Sequence, residues 1–236
     1  MNVAVIVGGG SGERSGLEGG KQLATVAGRP VLAHTINAFE RSIRTDAIVV
    51  VVHPDRVEEY RAGAVDPLGA AKVIAVVPGG NTRQRSVASG LAAVPSQATL
   101  IAIHDGARPL VTPATIDAAF EALEADLALD GIVVGHPSYD TLKSVDADGR
   151  IIGTPDRASL WAAQTPQVFR AARLREAYSR ATSDAEPATD DSTLVERIGG
   201  AVRMLAGPRD NIKVTVADDL LLAERLLAAR EEEELR

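Results

Sequence analysis

Val3-Ala4-Val5-Ile6-Val7-Gly8-Gly9-Gly10-Ser11-Gly12-Glu13-Arg14 sets the architecture of the chain at its start. Its first half is a short apolar run rich in β-branched residues, which reads as a buried strand and is too short for a membrane span or a signal-peptide core. Its second half is a glycine-rich turn. Glycines let backbone N–H groups approach a phosphate closely, and Arg14 together with Lys21, seven residues further on, can neutralise charge on its oxygens. A tight structural bend would use the same glycines, so the turn alone does not specify a ligand. Spacing argues against two familiar alternatives. A dinucleotide fingerprint begun at Gly8 puts Glu13 at its third glycine, and one begun at Gly10 puts Ser15 there. A Walker loop ending at Gly20-Lys21 needs glycine at Ser15 and a hydroxyl at Gln22.

Similar apolar runs recur at Ile48 to Val52, Val73 to Val77, Leu100 to Ile103 and Ile132 to Val134. Between them lie segments with helical spacing: Val31 to Phe39 behind Pro30, Thr82 to Leu91, and Ile116 to Leu127 behind Pro113. Strand alternating with helix predicts an α/β fold, a Rossmann-like, mostly parallel sheet with helices on both faces, whose ligands sit beyond the carboxyl ends of the strands. The expectation is one domain over residues 1–236. The alternation breaks between Ser138 and Ile152, where Asp140 to Val145 and Arg150 to Ile152 flank Asp146-Ala147-Asp148-Gly149, the pattern of an inserted β-hairpin. It reads either as a surface excursion or as an arm, about residues 138–156, exchanged with a second subunit. Ile212 to Val216 reads as a strand, Ala217 begins a helix whose end at Glu231 to Glu234 is solvated, and Ala64 to Ala71 reads as an exposed loop.

A formal charge of -7 argues against a nucleic-acid partner, because phosphate backbones are held by basic surfaces. Cysteine is absent, which removes disulfides and thiolate metal sites and suits a reducing cytoplasm. The chain is expected to be cytoplasmic, with no membrane partner.

The glycine loop followed by Arg14 and Lys21 resembles the signature of sugar-phosphate nucleotidyltransferases. Further stretches follow in order: Gly79-Gly80-Asn81-Thr82-Arg83-Gln84-Arg85-Ser86, His104-Asp105-Gly106-Ala107-Arg108-Pro109, Asp140-Thr141-Leu142-Lys143, Gln164-Thr165-Pro166-Gln167, Thr189-Asp190-Asp191 and Asp210-Asn211-Ile212-Lys213-Val214-Thr215. Together they resemble the methylerythritol phosphate cytidylyltransferase family from end to end.

The resemblance implies a homodimeric, magnesium-dependent enzyme acting on CTP and a sugar-alcohol phosphate, 2-C-methyl-D-erythritol 4-phosphate. It implies that Arg14 and Lys21 are catalytic, stabilising charge as the acceptor phosphate attacks the α-phosphorus. It places Gly8, Gly9, Gly10, Gly80, Asn81, Ser86 and Ala107 against the nucleotide, with Ser86 offering a hydroxyl to the base. Arg157, Lys213, Thr141, Thr165, Thr189 and Asp105 match acceptor-positioning places, and Asp105 is also the candidate contact to magnesium or its water. Taken singly these residues have plainer readings: Asp105 or Thr189 as a helix N-cap, Arg157 and Lys213 as solvated side chains. No Ser-His-Asp arrangement stands out, and His34, His53, His104 and His136 read as structural or surface residues. The chain departs from the family where proline and two alanines are usual, having Val7, Gly8 and Gly9, and at Gly106, where alanine or serine is usual. The alternatives are a ribitol 5-phosphate cytidylyltransferase, a sister family, and a non-catalytic nucleotide-binding module on the same fold.

Overall fold

The computed structural model describes residues 1–10, 20–181 and 188–234. The chain begins with β1 (Asn2–Val7), a small hairpin of β2 (Thr25–Val26) and β3 (Arg29–Pro30), and α1 (Val31–Arg41). Then come β4 (Ala47–Val52), α2 (Val57–Tyr60), β5 (Val73–Pro78), α3 (Arg83–Ala93), β6 (Leu100–Asp105), α4 (Pro113–Ala125) and β7 (Gly131–Pro137). A second hairpin, β8 (Ser144–Val145) and β9 (Ile151–Gly153), precedes β10 (Trp161–Arg170), α5 (Ala171–Arg180), α6 (Asp191–Arg197), β11 (Val202–Ala206) and α7 (Ala217–Glu234).

Seven strands form one sheet in the order β11-β7-β10-β6-β1-β4-β5. Only β10 runs against its neighbours; the other pairs are parallel. Because both faces are covered, the central strands read as unbroken apolar runs, and alternate residues go to opposite cores. Ile6, Ile48, Val50, Ala102 and Val134 pack on one face with Leu32, Ile36 and Phe39 of α1 and Ile116, Phe120 and Leu123 of α4. Val5, Val49, Val51 and Ile103 pack on the other with Val87 and Leu91 of α3, Leu174 of α5 and Leu194 and Val195 of α6. Each fully buried side chain of this size stabilises the fold by about 1.5–3 kcal/mol against exposure, before entropy. The helix α3 lies so close that a Cβ at Gly90 would stand 2.4 Å from Val5 Cγ1, which is why a glycine sits mid-helix there.

Helix starts follow local chemistry. Thr82 caps α3 by accepting from the Arg85 N–H, and Thr112 caps α4 by accepting from the Thr115 N–H, with Pro113 at the first helical position. The second hairpin exists, in register Val145 opposite Ile151, and stands as its own two-stranded sheet. The Asp146 carboxylate accepts from the backbone N–H groups of Asp148 and Arg150 and so folds the turn.

Three expectations need correction. Ile212 to Val216 is not a strand. Its apolar character comes from Val214, buried with Val26, Val31, Leu110 and Ala223 where α7 meets the body. The Val214 N–H donates to the Ala107 carbonyl, 2.8 Å, without joining a ladder. The first hairpin strand is shorter than expected, since Asp140 to Lys143 lies outside the pairing. Ala64 to Ala71 is not an exposed loop throughout. A π-helical turn spans Arg61–Val65 and a 3-10 turn Asp66–Leu68, and Ala64 and Val65 are buried against the α1 face of the sheet.

Candidate active site

A cleft of about 600 Å³ opens beyond the carboxyl ends of four adjacent strands. Val7 ends β1 and Gly9 and Gly10 follow it; His53, Pro54 and Asp55 follow β4; Gly79, Gly80, Asn81 and Thr82 follow β5; Asp105 ends β6 and Ala107 lies just beyond. Lys21, Gln22, Arg83, Ser86 and Lys213 complete the lining. Parallel strands place this cleft, because every crossover leaves its loop at the same end of the sheet.

At the glycine turn, Gly9 and Gly10 face the cleft, whereas Gly8 lies beneath, its N–H donating to the Val51 carbonyl at 2.7 Å. Arg14 lies outside the described residues. Across the cleft, the Gly79 N–H donates to Val52 O, and a Cβ at Gly80 would stand 2.5 Å from Arg85 Cβ, so the loop must run close to α3. Ser86 Oγ accepts from the Gly80 N–H at 3.1 Å and lies 2.9 Å from the Thr82 carbonyl. Its hydroxyl, which also lies 3.2 Å from the Gly80 carbonyl, thus folds the loop back on itself. The departure at Gly106 also has a packing counterpart: a Cβ there would stand 2.9 Å from Leu32 Cδ1.

The floor carries a charge cluster. Asp105 Oδ1 accepts from Arg83 Nε at 3.2 Å, and its Oδ2 lies 2.8 Å from Lys213 Nζ and 3.7 Å from Arg108 Nε. Burial alone would raise the Asp105 pKa, but Arg83, Lys213 and Arg108 outweigh it and hold the carboxyl well below the usual range. Arg83 reaches on to Asp191, Nη2 to Oδ2 at 2.7 Å, and the opposite Asp191 oxygen accepts from the Tyr178 hydroxyl. Burial would lower the Arg83 pKa; Asp191 and Asp105 overcome that and raise it, so Arg83 stays charged.

Beneath the floor, Thr165 Oγ1 accepts from the Asp105 N–H at 3.1 Å and lies 3.0 Å from His104 Nδ1. Burial pushes His104 down to about 3, which keeps it neutral. Asn211 Nδ2 donates to Thr165 O at 2.9 Å and Arg108 Nη1 donates to Asn211 O at 2.7 Å, which fixes the loop carrying Lys213.

Of the residues singled out from sequence, the cleft gathers Gly9, Gly10, Lys21, Gly80, Asn81, Ser86, Asp105, Ala107 and Lys213. Thr165 supports the floor from below. Thr141, Arg157 and Thr189 are exposed and do not line the cleft of their own chain. Nor does Thr189 cap α6: Asp190 does, accepting from the Thr193 N–H at 3.1 Å. Sequence reasoning missed Arg83, Asp191 and Tyr178. The first two sit inside quoted motifs and carry a charge, the available signal; Tyr178 lies outside every motif.

Among the described residues no group of three or more His, Asp or Glu side chains is arranged to hold a metal ion. Both oxygens of Asp105 face cations, which makes it a poor direct ligand.

Residues 2–229 match the family described as IspD, 2-C-methyl-D-erythritol 4-phosphate cytidylyltransferase. A relative of that name from Pelotomaculum thermopropionicum is 40% identical over 228 residues, covering 97% of this chain and 94% of the other. One from Prochlorococcus marinus is 44% identical over 227 residues, covering 96% and 98%. Among solved structures, the 4-diphosphocytidyl-2C-methyl-D-erythritol synthase of Anaerococcus prevotii superposes with a TM-score of 0.84 at 28% identity, covering 97% of this chain and 96% of that one. The Thermus thermophilus 2-C-methyl-D-erythritol 4-phosphate cytidylyltransferase gives 0.76 at 31% identity, covering 97% and 100%.

Proposed function

This chain belongs to the 2-C-methyl-D-erythritol 4-phosphate cytidylyltransferase family, and from that premise we infer the reaction at the cleft. The enzyme joins CTP to 2-C-methyl-D-erythritol 4-phosphate, giving 4-diphosphocytidyl-2-C-methyl-D-erythritol and pyrophosphate, a step in non-mevalonate isoprenoid precursor synthesis. One observation carries the reading to these residues: a single cleft holds a glycine turn with Lys21 on one side, a glycine-rich loop on another, and the Asp105–Lys213 pair on its floor.

The roles proposed follow from charge and reach. A phosphate monoester oxygen of the acceptor attacks the α-phosphorus of CTP, a new P–O bond forms, and the bond to the β-phosphate oxygen breaks, releasing pyrophosphate. The attacking oxygen is already anionic near neutral pH, so positioning and charge neutralisation are what the chain must supply. Lys21 and Arg14 take the charge that grows on the transferring phosphoryl group. The Gly9, Gly10 and Ala107 backbone meets the nucleotide, and the Gly80–Asn81 backbone offers acceptors to the cytosine amine. Lys213, held on Asp105, receives the acceptor phosphate. Magnesium would supply charge neutralisation when it enters on the triphosphate.

Thr141, Arg157 and Thr189 are proposed as acceptor contacts, the first two delivered to a neighbouring subunit's cleft by the second hairpin of a homodimer. Exposed Leu142, Val145, Ile151 and Ile152 on that hairpin support such a packing surface. A cytoplasmic location is proposed from the acidic, cysteine-free composition. No helix among the described residues is long and apolar enough to cross a membrane. Pyrophosphate release from CTP, measured with 2-C-methyl-D-erythritol 4-phosphate and with ribitol 5-phosphate, tests the acceptor. Turnover with ribitol 5-phosphate alone would move the chain to the sister activity, and turnover with neither would leave a binding module.

A further inference from the structure

Resting on that reading, we propose that Asp191 is a positioning residue for the acceptor site, acting through Arg83 with Tyr178 as its brace. Asp191 is fully buried, yet it is ionically paired to a residue that lines the cleft. Arg83 spends Nε on Asp105 and Nη2 on Asp191, and its Nη1 has no hydrogen-bond partner among the described residues. A guanidinium and a carboxylate prefer a two-pronged pairing. Here Arg83 engages only one Asp105 oxygen, because Asp191 holds its Nη2, and the second Asp105 oxygen is left to Lys213 at 2.8 Å, with Arg108 Nε further off at 3.7 Å. Asp191 therefore decides how Asp105 is shared. Without its charge, Arg83 can rotate onto both Asp105 oxygens and displace Lys213 from the place where the acceptor phosphate is received.

Chain placement makes the same link. Arg83 is the first residue of α3, directly behind the Gly79 to Thr82 loop that lines the cleft, and Asp191 is the first residue of α6, two residues beyond Thr189. The pair thus ties the nucleotide wall to the segment bearing a candidate acceptor contact. The Tyr178 hydroxyl on α5 occupies the other Asp191 oxygen and fixes which oxygen faces Arg83.

The test uses the full chain, with pyrophosphate release giving separate KM values for CTP and for 2-C-methyl-D-erythritol 4-phosphate. Asp191→Asn keeps the shape and removes the charge; it should raise the acceptor KM by about tenfold and leave the CTP KM within about twofold. Tyr178→Phe, which leaves the ion pair in place, should shift the acceptor KM in the same direction by roughly twofold to threefold. A purely structural role would lower the active fraction and kcat without separating the two KM values. If Asp191 acts through Arg83, then Arg83→Gln should raise the acceptor KM similarly, and the double variant should go no further. An unchanged acceptor KM in Asp191→Asn, an equal shift in both KM values, or additive effects in the double variant would overturn the proposal. Should Asp191→Asn fail to fold, an unchanged acceptor KM in Tyr178→Phe overturns it. Absence of turnover by the unsubstituted chain with this acceptor would instead reject the acceptor assignment.

Discussion

The strand β4 and the hairpin strand β9 are built from the same kind of residues, and the molecule treats them oppositely. Ile48 to Val52 is wholly buried between two layers of helices. Ile151 and Ile152 are 63% and 68% exposed, and Val145 across the ladder is 53% exposed. The difference separates a self-contained sheet, covered on both faces by the chain's own helices, from an arm whose apolar side chains the described residues leave more than half exposed. In the site proposed above, the first region supplies charge and base recognition and the second supplies reach to the acceptor of a neighbouring subunit. The variants below strike one side or the other.

The largest effect should come from the self-contained side. Lys21→Ala is expected to lower kcat by on the order of 10²-fold or more with a smaller change in CTP affinity, because its contact strengthens as charge develops. Arg14→Ala should behave alike. Steady-state pyrophosphate release checks both, and a folded variant with near wild-type turnover would remove these residues from the mechanism.

The arm is tested next by mixing. If Arg14 serves its own cleft and Arg157 the partner's, each alanine variant alone is nearly inactive, and a heterodimer carries one cleft lacking both groups and one complete. Random exchange gives about half heterodimers, so the mixture should recover roughly a quarter of wild-type activity. No recovery despite confirmed subunit exchange would return Arg157 to its own chain's cleft and erase the division drawn above.

A smaller effect concerns the base. Backbone acceptors beside Gly80 and Asn81 that meet the cytosine amine would face a carbonyl in uracil, at a cost of about 1–3 kcal/mol per unpaired buried group. The specificity constant for CTP should therefore exceed that for UTP by roughly fivefold to a hundredfold. Equal constants would show that this loop does not read the base.

Much of the self-contained side was legible in the sequence, because β1, β4 and β6 are buried on both faces and announce themselves as apolar runs, two of them closed by glycine at Gly8 and Gly106. The hairpin turn was legible too, since Asp146 and Gly149 are turn residues whatever surrounds them. What escaped has physical causes. In β10, Ala162 to Gln167 offers few β-branched residues, and its place between β6 and β7 is fixed by pairing rather than propensity. Val214 looked like a strand because burial beneath α7 selects the same residue types as a ladder does. The Asp191–Arg83 pair joins positions 108 apart, and single-chain patterning holds no information about a contact at that range. Thr141 and Arg157 could be placed only by resemblance, as their proposed target is not in their own chain.

The smallest effect concerns His104, and it tests whether the nucleotide side is self-contained. His104 lies fully buried under the floor, against the edge of Phe39 and the Thr165 hydroxyl, and burial lowers its pKa from 6.5 to about 3. Between those values the unfolded chain binds a proton that the folded chain refuses. The contribution is therefore fully present above about pH 6.5 and is lost as pH falls toward 3. At pH 5 the loss relative to pH 7 should amount to on the order of 1–2 kcal/mol. Asp105, also held low by its cations, weakens the fold in the same direction but only below about pH 4, its ordinary range, so the window from 6.5 to 4 isolates His104. Urea unfolding at pH 7 and pH 5 measures the difference. His104→Asn should lower stability at both values and flatten this part of the pH dependence. Ile151→Asp, which adds a charge to the arm, should keep it, since His104 is already fully buried by residues of its own chain. Loss of the pH dependence in Ile151→Asp would mean that the floor depends on the partner after all.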